Sequence, residues 1–173
     1  MVVIDVHEEA AKNPDYALSI ERVKKWEKDY GAIPGGAFVA MCTDWSKRWP
    51  DAAKMENKDA NGVAHYPGWR LPVLKYLYGE RKVTAFGHET TDTDPGIAAS
   101  KGRLLARNLY LEQQPLADEL LTNLDQVPEA DPIVVVSFQN RKVAQDFRRG
   151  YLRVCRDLTQ TLHDINCISF GFA

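Results

Sequence analysis

The chain has 173 residues, which is the length of one domain with a single sizeable hydrophobic core. Its formal net charge is −2, and acidic and basic residues are interleaved, so we expect neither nucleic acid nor anionic lipid as a partner. The longest apolar runs, such as Ile133–Val136, are far too short to cross a bilayer, so no membrane association is predicted.

The cysteines and the first residues of the chain indicate in which cellular compartment the protein is expected. Cys42, Cys155 and Cys167 form neither an even set nor a Cys-x-x-Cys pair. Reduced thiols and a cytoplasmic location are therefore expected. Asp5 interrupts the first apolar segment, so no secretory leader is predicted.

The first third of the chain predicts two strands around one helix. MVVIDV at the start is β-branched and apolar and predicts a strand. Ser19 is a good N-cap for a helix through Tyr30, and Gly31 is a typical stop. After the IPGG turn, AFVAMCT predicts a second strand.

The remaining elements continue the alternation. Pro50–Pro67 predicts a long polar loop, Arg70–Tyr78 a short helix, and KVTAFG a third strand. Gly102–Leu111 is compatible with a helix that Pro115 stops, and DPIVVVSF is the clearest strand in the sequence. Strands that alternate with helices at short spacing indicate an α/β or mixed α+β class.

The segment GHETTDTDPG follows the third predicted strand, at the end where α/β proteins usually place ligands. His88, Glu89, Asp92 and Asp94 could supply metal ligands or a general base. The alternative is a turn in which Asp and Thr side chains bond their own backbone. Spacing alone favours the turn, because acid-rich turns greatly outnumber metal sites.

Two further segments carry candidate binding groups. TDWSKRWP places Trp45 and Trp49 four residues apart, with Lys47 and Arg48 between them. These residues could form an aromatic wall with cations for an aromatic or carboxylate ligand, or they could pack at a domain or subunit edge. Glu119, in ADELLTNLDQVPE, would by itself be an ordinary surface acid.

Five separated motifs are informative as a set: VVIDV, TDWSKRWP, HYPGW, VTAFGHETTDTDPG and ELLTNLDQVPE. In this order and spacing they resemble the cyclase family of metal-dependent hydrolases, which includes kynurenine formamidase and isatin hydrolase. The resemblance covers about Val2 to Phe138. It implies a swivelling β/β/α domain and arylformamidase-like hydrolysis of a small amide or cyclic amide. The nucleophile would be water activated by a divalent ion, zinc or manganese.

The resemblance also implies roles for individual residues. Glu119 matches the late glutamate of the family, which reaches the metal centre as a ligand or proton relay. His88 is expected to be its catalytic partner on the loop across the pocket. Asp92, Asp94 and Trp45 are expected to line the substrate site.

One departure concerns the metal. The family's H-x-G-T-H-x-D signature normally precedes the first strand seen here, and no H-x-x-x-H occurs in this sequence. We therefore expect residues 1–138 to be the later, incomplete portion of a cyclase-type domain. Metal binding and activity by this chain alone should be low. An incomplete core should also promote association into a homo-oligomer.

A second departure concerns residues 139–173, an atypical tail. Members of the family tend to end in a run such as FPKPKGGSGFPARVFA. Phe138–Arg149 can be encoded by a nucleotide sequence that changes meaning when one base is added. With a C inserted after its first codon, that nucleotide sequence encodes FPKPKGGSGFPA. This predicts a one-base deletion near codon 139. The competing interpretation is an amphipathic helix with Val143, Phe147 and Tyr151 on one side.

Two other functions fit the sequence. The chain could be a non-catalytic scaffold or ligand-binding module whose pocket is lined by tryptophan. It could also be half of a split enzyme whose remaining ligands come from a separate chain.

Overall fold

The computed structural model describes residues 1–104, 106, 116–137, 151–155 and 167–171. Its strands are β1 (Val2–Asp5), β2 (Ala17–Leu18), β3 (Phe38–Cys42), β4 (Gly68–Trp69), β5 (Ala85–His88), β6 (Leu116–Asp118), β7 (Ile133–Ser137), β8 (Tyr151–Cys155) and β9 (Cys167–Gly171). Its α-helices are α1 (His7–Lys12), α2 (Ile20–Tyr30), α3 (Ala52–Glu56), α4 (Leu71–Gly79) and α5 (Gly96–Ala99). Two 3₁₀ turns span Trp45–Arg48 and Leu124–Gln126. None of the described helices has both the length and the apolar character that crossing a membrane requires.

A four-stranded parallel sheet organises the fold, in the order β1-β3-β5-β6. Its register aligns Ile4 with Met41, Met41 with His88, and Gly87 with Asp118. Parallel neighbours need crossover connections, and α2 and α4 lie in the connections that lead to β3 and β5. The carboxyl ends of all four strands therefore meet at one edge.

Two smaller sheets accompany it. β2 and β4 form a parallel pair, and β7, β8 and β9 form an antiparallel sheet. The alternating strands and helices confirm the predicted α/β, mixed α+β class.

The strand period of two divides the core into two faces. Val2 and Ile4 of β1 pack with the helices, whereas Val3 packs on the opposite face. The helix face contains buried side chains of α2 and α4, namely Val23, Trp26, Val73, Leu74, Tyr76 and Leu77. The opposite face is covered by the segment after β6, through Leu121, Leu124 and Val127.

Several predicted elements are confirmed. α2 begins after Ser19, whose hydroxyl accepts a hydrogen bond from the Arg22 amide at 3.3 Å. Gly31 ends the helix with a positive φ of 97°, a conformation that favours glycine. The strands predicted at the start of the chain, in AFVAMCT and in DPIVVVSF are present as β1, β3 and β7.

Other predicted boundaries need correction. The third strand was expected from Lys82 but begins at Ala85, because Lys82 has a positive φ and the Val83 amide bonds back to α4. The loop Pro50–Pro67 contains α3, which Asp51 caps by accepting a hydrogen bond from the Lys54 amide. A helix was predicted over Gly102–Leu111, but most of that range lies outside the described residues.

The tail shows strands where it is described. β8 and β9 pair with β7 in an antiparallel register that aligns Ser137 with Tyr151 and Tyr151 with Gly171. The amphipathic helix considered for this region falls on residues 143–150, which lie outside the described part of the chain, and Tyr151 begins β8.

Candidate functional site

The carboxyl edge of the parallel sheet gathers most of the predicted site residues. Trp45 lies in the segment that leaves β3, His88 ends β5 where the acidic loop begins, and Glu119 lies in the segment that leaves β6. Backbone hydrogen bonds join the last two segments: the Leu120 amide donates to the Thr90 carbonyl at 3.2 Å, and the Leu121 amide donates to the His88 carbonyl at 3.0 Å. The parallel register of β5 and β6 thus brings Glu119 beside the loop that begins at His88.

His88 is a fully buried imidazole at the end of β5. Its Nδ1 lies 2.9 Å from the Thr90 hydroxyl, and its ring stacks on Phe86. The Thr90 hydroxyl is also within 3.3 Å of two carbonyl oxygens, those of Pro67 and Asp92. If this hydroxyl donates to a carbonyl, it accepts from Nδ1–H, and the network assigns the lone pair of His88 to Nε2.

That lone pair has an unusual environment. Within the described part of the chain, the buried Nε2 of His88 has no hydrogen-bond partner. Burial also lowers the pKa of His88 from 6.5 to about 4, because the charged imidazolium would lose its hydration. His88 is therefore a neutral imidazole at physiological pH that can accept a hydrogen bond or a proton through Nε2.

We predict that His88 stays neutral down to about pH 4, whereas His7 and His65 titrate above 6.5 because of their aspartate neighbours. Since the folded-state pKa of His88 is depressed, the unfolded chain binds the extra proton between pH 6.5 and about 4. The free energy of unfolding should therefore fall by about 3 kcal/mol as the pH drops through that window.

NMR titration of the imidazole protons measures this pKa directly. Urea unfolding at several pH values should show the slope in the wild-type chain and a shallower slope in His88→Gln. A His88 resonance that titrates near pH 6.5 would contradict the prediction.

Glu89 ties β5 to the 3₁₀ turn after β3. Its buried carboxylate accepts four hydrogen bonds: from the Thr43 amide at 2.6 Å, the Thr43 hydroxyl at 2.8 Å, the Trp45 amide at 3.3 Å and the Ser46 hydroxyl at 2.6 Å. Burial raises the pKa of Glu89, and the hydrogen bonds from Ser46 and Thr43 oppose that rise. Glu89 therefore positions the turn that carries Trp45.

The HYPGW segment lies against the acidic loop with almost no space between the two backbones. The Trp69 amide donates to the Thr93 carbonyl at 2.8 Å, and the Gly96 amide donates to the Tyr66 carbonyl at 2.9 Å. A Cβ atom at Gly68 would lie 2.6 Å from the Asp94 carbonyl carbon. A Cβ at Gly96 would lie 2.8 Å from the Tyr66 amide nitrogen. Both glycines are required for this approach.

Tyr66 links the two acidic motifs. Its side chain is buried, and burial together with the negative charges of Asp92 and Glu119 raises the pKa of Tyr66 to about 12. Asp92 and Glu119, which are 27 positions apart in the sequence, thus act on the same phenol. Sequence reasoning did not select Tyr66, although its place in HYPGW was an available signal.

The two aspartates of the loop occupy different positions. Asp94 is buried, and its carboxylate accepts a hydrogen bond from the Ala106 amide at 3.0 Å. Its own amide lies 3.4 Å from the Asp92 carboxylate, as in a turn whose side chain bonds its own backbone. Asp92 is partly buried, and Glu119 is exposed.

The two tryptophans of TDWSKRWP are in different environments. Trp45 is buried beside Met55 and Tyr66, and its indole N–H donates to the Met55 carbonyl at 2.9 Å. Trp49, by contrast, is 46% exposed. The structure thus places Trp45, but not Trp49, in the cluster that contains Tyr66.

The described residues do not provide a complete metal site. No group of three or more His, Cys, Asp or Glu side chains within that part of the chain could hold a metal ion. The lone pair of His88 is buried, whereas the Glu119 carboxylate belongs to an exposed residue. Any metal that acts here would need ligands beyond those described.

A model of the cyclase family matches residues 1–95, and the chain belongs to this family. It is 34% identical over 136 residues to the isatin hydrolase of Roseibium aggregatum, which covers 78% of this chain and 51% of that protein. The chain therefore spans about half the length of the curated relative it matches. The resemblance inferred from the five motifs is confirmed.

Solved structures give the same result. Isatin hydrolase A from Labrenzia aggregata, bound to benzyl benzoate, is 37% identical with a TM-score of 0.70, over 78% of this chain and 52% of that one. An isatin hydrolase bound to the product analogue thioisatinate is 34% identical with a TM-score of 0.72, over 79% and 52%. Isatin hydrolase A from Ralstonia solanacearum is 36% identical with a TM-score of 0.71, over 77% and 51%. The chain thus has the cyclase-type fold over about half of each relative.

Proposed function

We propose that this chain supplies one side of the active site of a cyclase-family hydrolase that cleaves a small aromatic amide or cyclic amide. The substrate class would be that of isatin or an N-formyl aromatic amide, as in an arylformamidase. The observation that carries the proposal is the hydrogen-bonded junction of the Glu119 and His88 segments at the carboxyl edge of the sheet. The likeness to isatin hydrolases across 78% of the chain supports it.

The reaction has simple requirements. Water adds to the amide carbonyl, the C–N bond breaks, and the products are a carboxylate and an amine. Glu119, as an exposed carboxylate, is proposed to take the proton from water and pass it to the leaving nitrogen. Neutral His88 is proposed to accept a hydrogen bond through Nε2. Asp92, Asp94 and Trp45 are proposed to line the pocket.

A divalent ion, zinc or manganese, would lower the pKa of water to about 7 and polarise the carbonyl. Glu119 is the residue of this chain that we propose as a ligand. The described residues contain no complete ligand set for such an ion.

The cellular location and the oligomeric state of the protein can also be proposed. We propose a cytoplasmic location, which the buried free thiol of Cys42 supports. We propose self-association, which Tyr30 and Ile133 support: both are exposed apolar side chains, and both line a cleft of ≈ 330 Å³.

Complementation tests the proposed activity. The full chain is assayed alone, and again after co-expression with the amino-terminal half of the Roseibium aggregatum isatin hydrolase, with zinc or manganese and after chelation. Hydrolysis of isatin or an N-formyl aromatic amide should be very low for the chain alone and should rise on complementation. Glu119→Gln should then lower the rate at least ~100-fold, because general acid–base catalysis contributes about 10²–10⁴.

The control is Glu80→Gln, at an exposed glutamate that follows α4. It should leave the complemented rate unchanged. A complemented assembly that hydrolyses neither substrate, or a Glu119→Gln variant as active as the wild type, would overturn the proposal.

A further inference from the structure

Arg48 is a partly buried cation for which the described part of the chain provides no anionic partner. The structure describes three partly buried arginines, and two of them form ion pairs: Arg22 with Glu9 at 3.4 Å, and Arg81 with Glu27. Arg48 forms no ion pair with any described residue, and burial lowers its pKa with no opposing carboxylate. Buried charges in proteins are normally paired, so the guanidinium of Arg48 is a candidate for binding an anion.

The guanidinium of Arg48 lies over an aromatic ring. Its Cζ lies 3.5 Å from the centroid of the Trp45 ring, and its Nη1 donates to the Lys54 carbonyl at 3.1 Å. This leaves the edge formed by Nε and Nη2 without a partner among the described residues. That edge is the one that binds a carboxylate through two parallel hydrogen bonds.

The neighbouring cations are already neutralised. Lys47 lies 2.8 Å from Asp44 and 3.2 Å from Asp125, and Lys54 lies 3.3 Å from Asp51. An anion that approaches this surface therefore finds one unpaired cation, Arg48, within the described Trp45–Lys54 segment.

Arg48 is both accessible and close to the proposed hydrolytic site. Its hydrogen bond to Lys54 lies at the surface, so a small molecule can reach the guanidinium. Beneath it, Trp45 packs in one cluster with Tyr66 and Leu120, and Leu120 follows Glu119 in the chain. Trp49, the next residue after Arg48, exposes a large aromatic surface.

We propose that Arg48, stacked on Trp45, binds the carboxylate of a small aromatic acid. This inference rests on the proposed function, because hydrolysis of a cyclic aromatic amide such as isatin opens the ring and releases an aromatic carboxylate. The planar guanidinium suits a planar carboxylate, and the exposed aromatic surface of Trp49 favours an aromatic acid over an inorganic anion.

Binding of benzoate to the full chain, measured by isothermal titration and by ligand-observed NMR, tests the proposal. The wild-type chain should bind benzoate saturably and should bind the neutral isostere benzamide at least ~10-fold more weakly. Arg48→Gln should weaken benzoate binding at least ~10-fold. Arg48→Lys keeps the charge but loses the planar edge and should give a smaller loss. The control Lys12→Gln, at an exposed lysine of α1 outside the Trp45–Lys54 segment, should change the Kd less than ~2-fold.

Equal binding of benzoate by the wild-type and Arg48→Gln chains would overturn the inference, as would equal binding of benzoate and benzamide. Circular dichroism and urea unfolding identify any variant that fails to fold. If Arg48→Gln fails to fold, benzoate binding by Arg48→Lys is compared with the wild type instead, and equal binding would overturn the inference. Because no hydrolysis is measured, loss of the proposed activity and loss of this binding site are separate results.

Discussion

Replacement of Glu89 by alanine is expected to lower the free energy of unfolding by about 3–5 kcal/mol. The substitution would remove the acceptor of the buried Thr43 amide and of the Thr43 and Ser46 hydroxyl groups. The Trp45 amide would keep only the Thr43 hydroxyl oxygen, at 3.3 Å. Such a loss is a large share of the stability of a domain of this size. Urea unfolding followed by circular dichroism measures the effect.

Two controls define the cause. Glu89→Gln keeps an acceptor oxygen for Thr43 and Trp45 and should cost only about 1 kcal/mol. Glu80→Ala removes an exposed carboxylate and should change stability by less than about 0.5 kcal/mol. If Glu89→Ala were as stable as Glu80→Ala, the hydrogen bonds to Glu89 would not hold the turn in place.

Replacement of Gly68 by alanine is expected to cost about 3 kcal/mol, near the upper end for an overpacked site. The new Cβ would lie 2.6 Å from the Asp94 carbonyl carbon and 2.8 Å from the Thr93 oxygen. These are backbone atoms, so they cannot move aside as a flexible side chain can. The acidic loop would have to separate from the HYPGW segment.

The matched control is Gly79→Ala at the end of α4. No atom lies within 4 Å of a Cβ built there, and alanine favours the helix by up to about 1 kcal/mol relative to glycine. Urea unfolding of both variants should therefore show effects of opposite sign. Similar stabilities for the two variants would mean that the contact at Gly68 is not close.

The elements that the sequence predicted well depend on local signals. Ser19 and Gly31 bound α2 because a cap and a stop act within one turn of the helix. β1, β3 and β7 were predictable because they are short apolar runs bounded by turn residues. The start of β5 was not, since it depends on how the Lys82 backbone leaves α4.

The candidate site was predictable only in part, because the contacts of its residues are made with side chains that are distant in the sequence. The acids of the GHETTDTDPG loop were recognised, but Glu89 acts through Thr43 and Ser46, more than forty positions away. The pKa of Tyr66 is raised in part by Asp92 and Glu119, and only the fold brings these two acids near its phenol. Likewise, Trp45 and Trp49 look equivalent in the sequence, and only the packing of Met55 and Tyr66 distinguishes them.

The strand order of the parallel sheet has a consequence for how the chain folds. Each of its three pairings joins segments that are about 30 to 50 residues apart, such as Val3 with Ala40 and Ala40 with Gly87. No tight hairpin can nucleate this sheet, so large loops must close before any of its pairings forms. During synthesis, β1 therefore has no partner in this sheet until β3 has emerged, and the edge that gathers His88 and Glu119 cannot be completed before β6 is available to pair with β5.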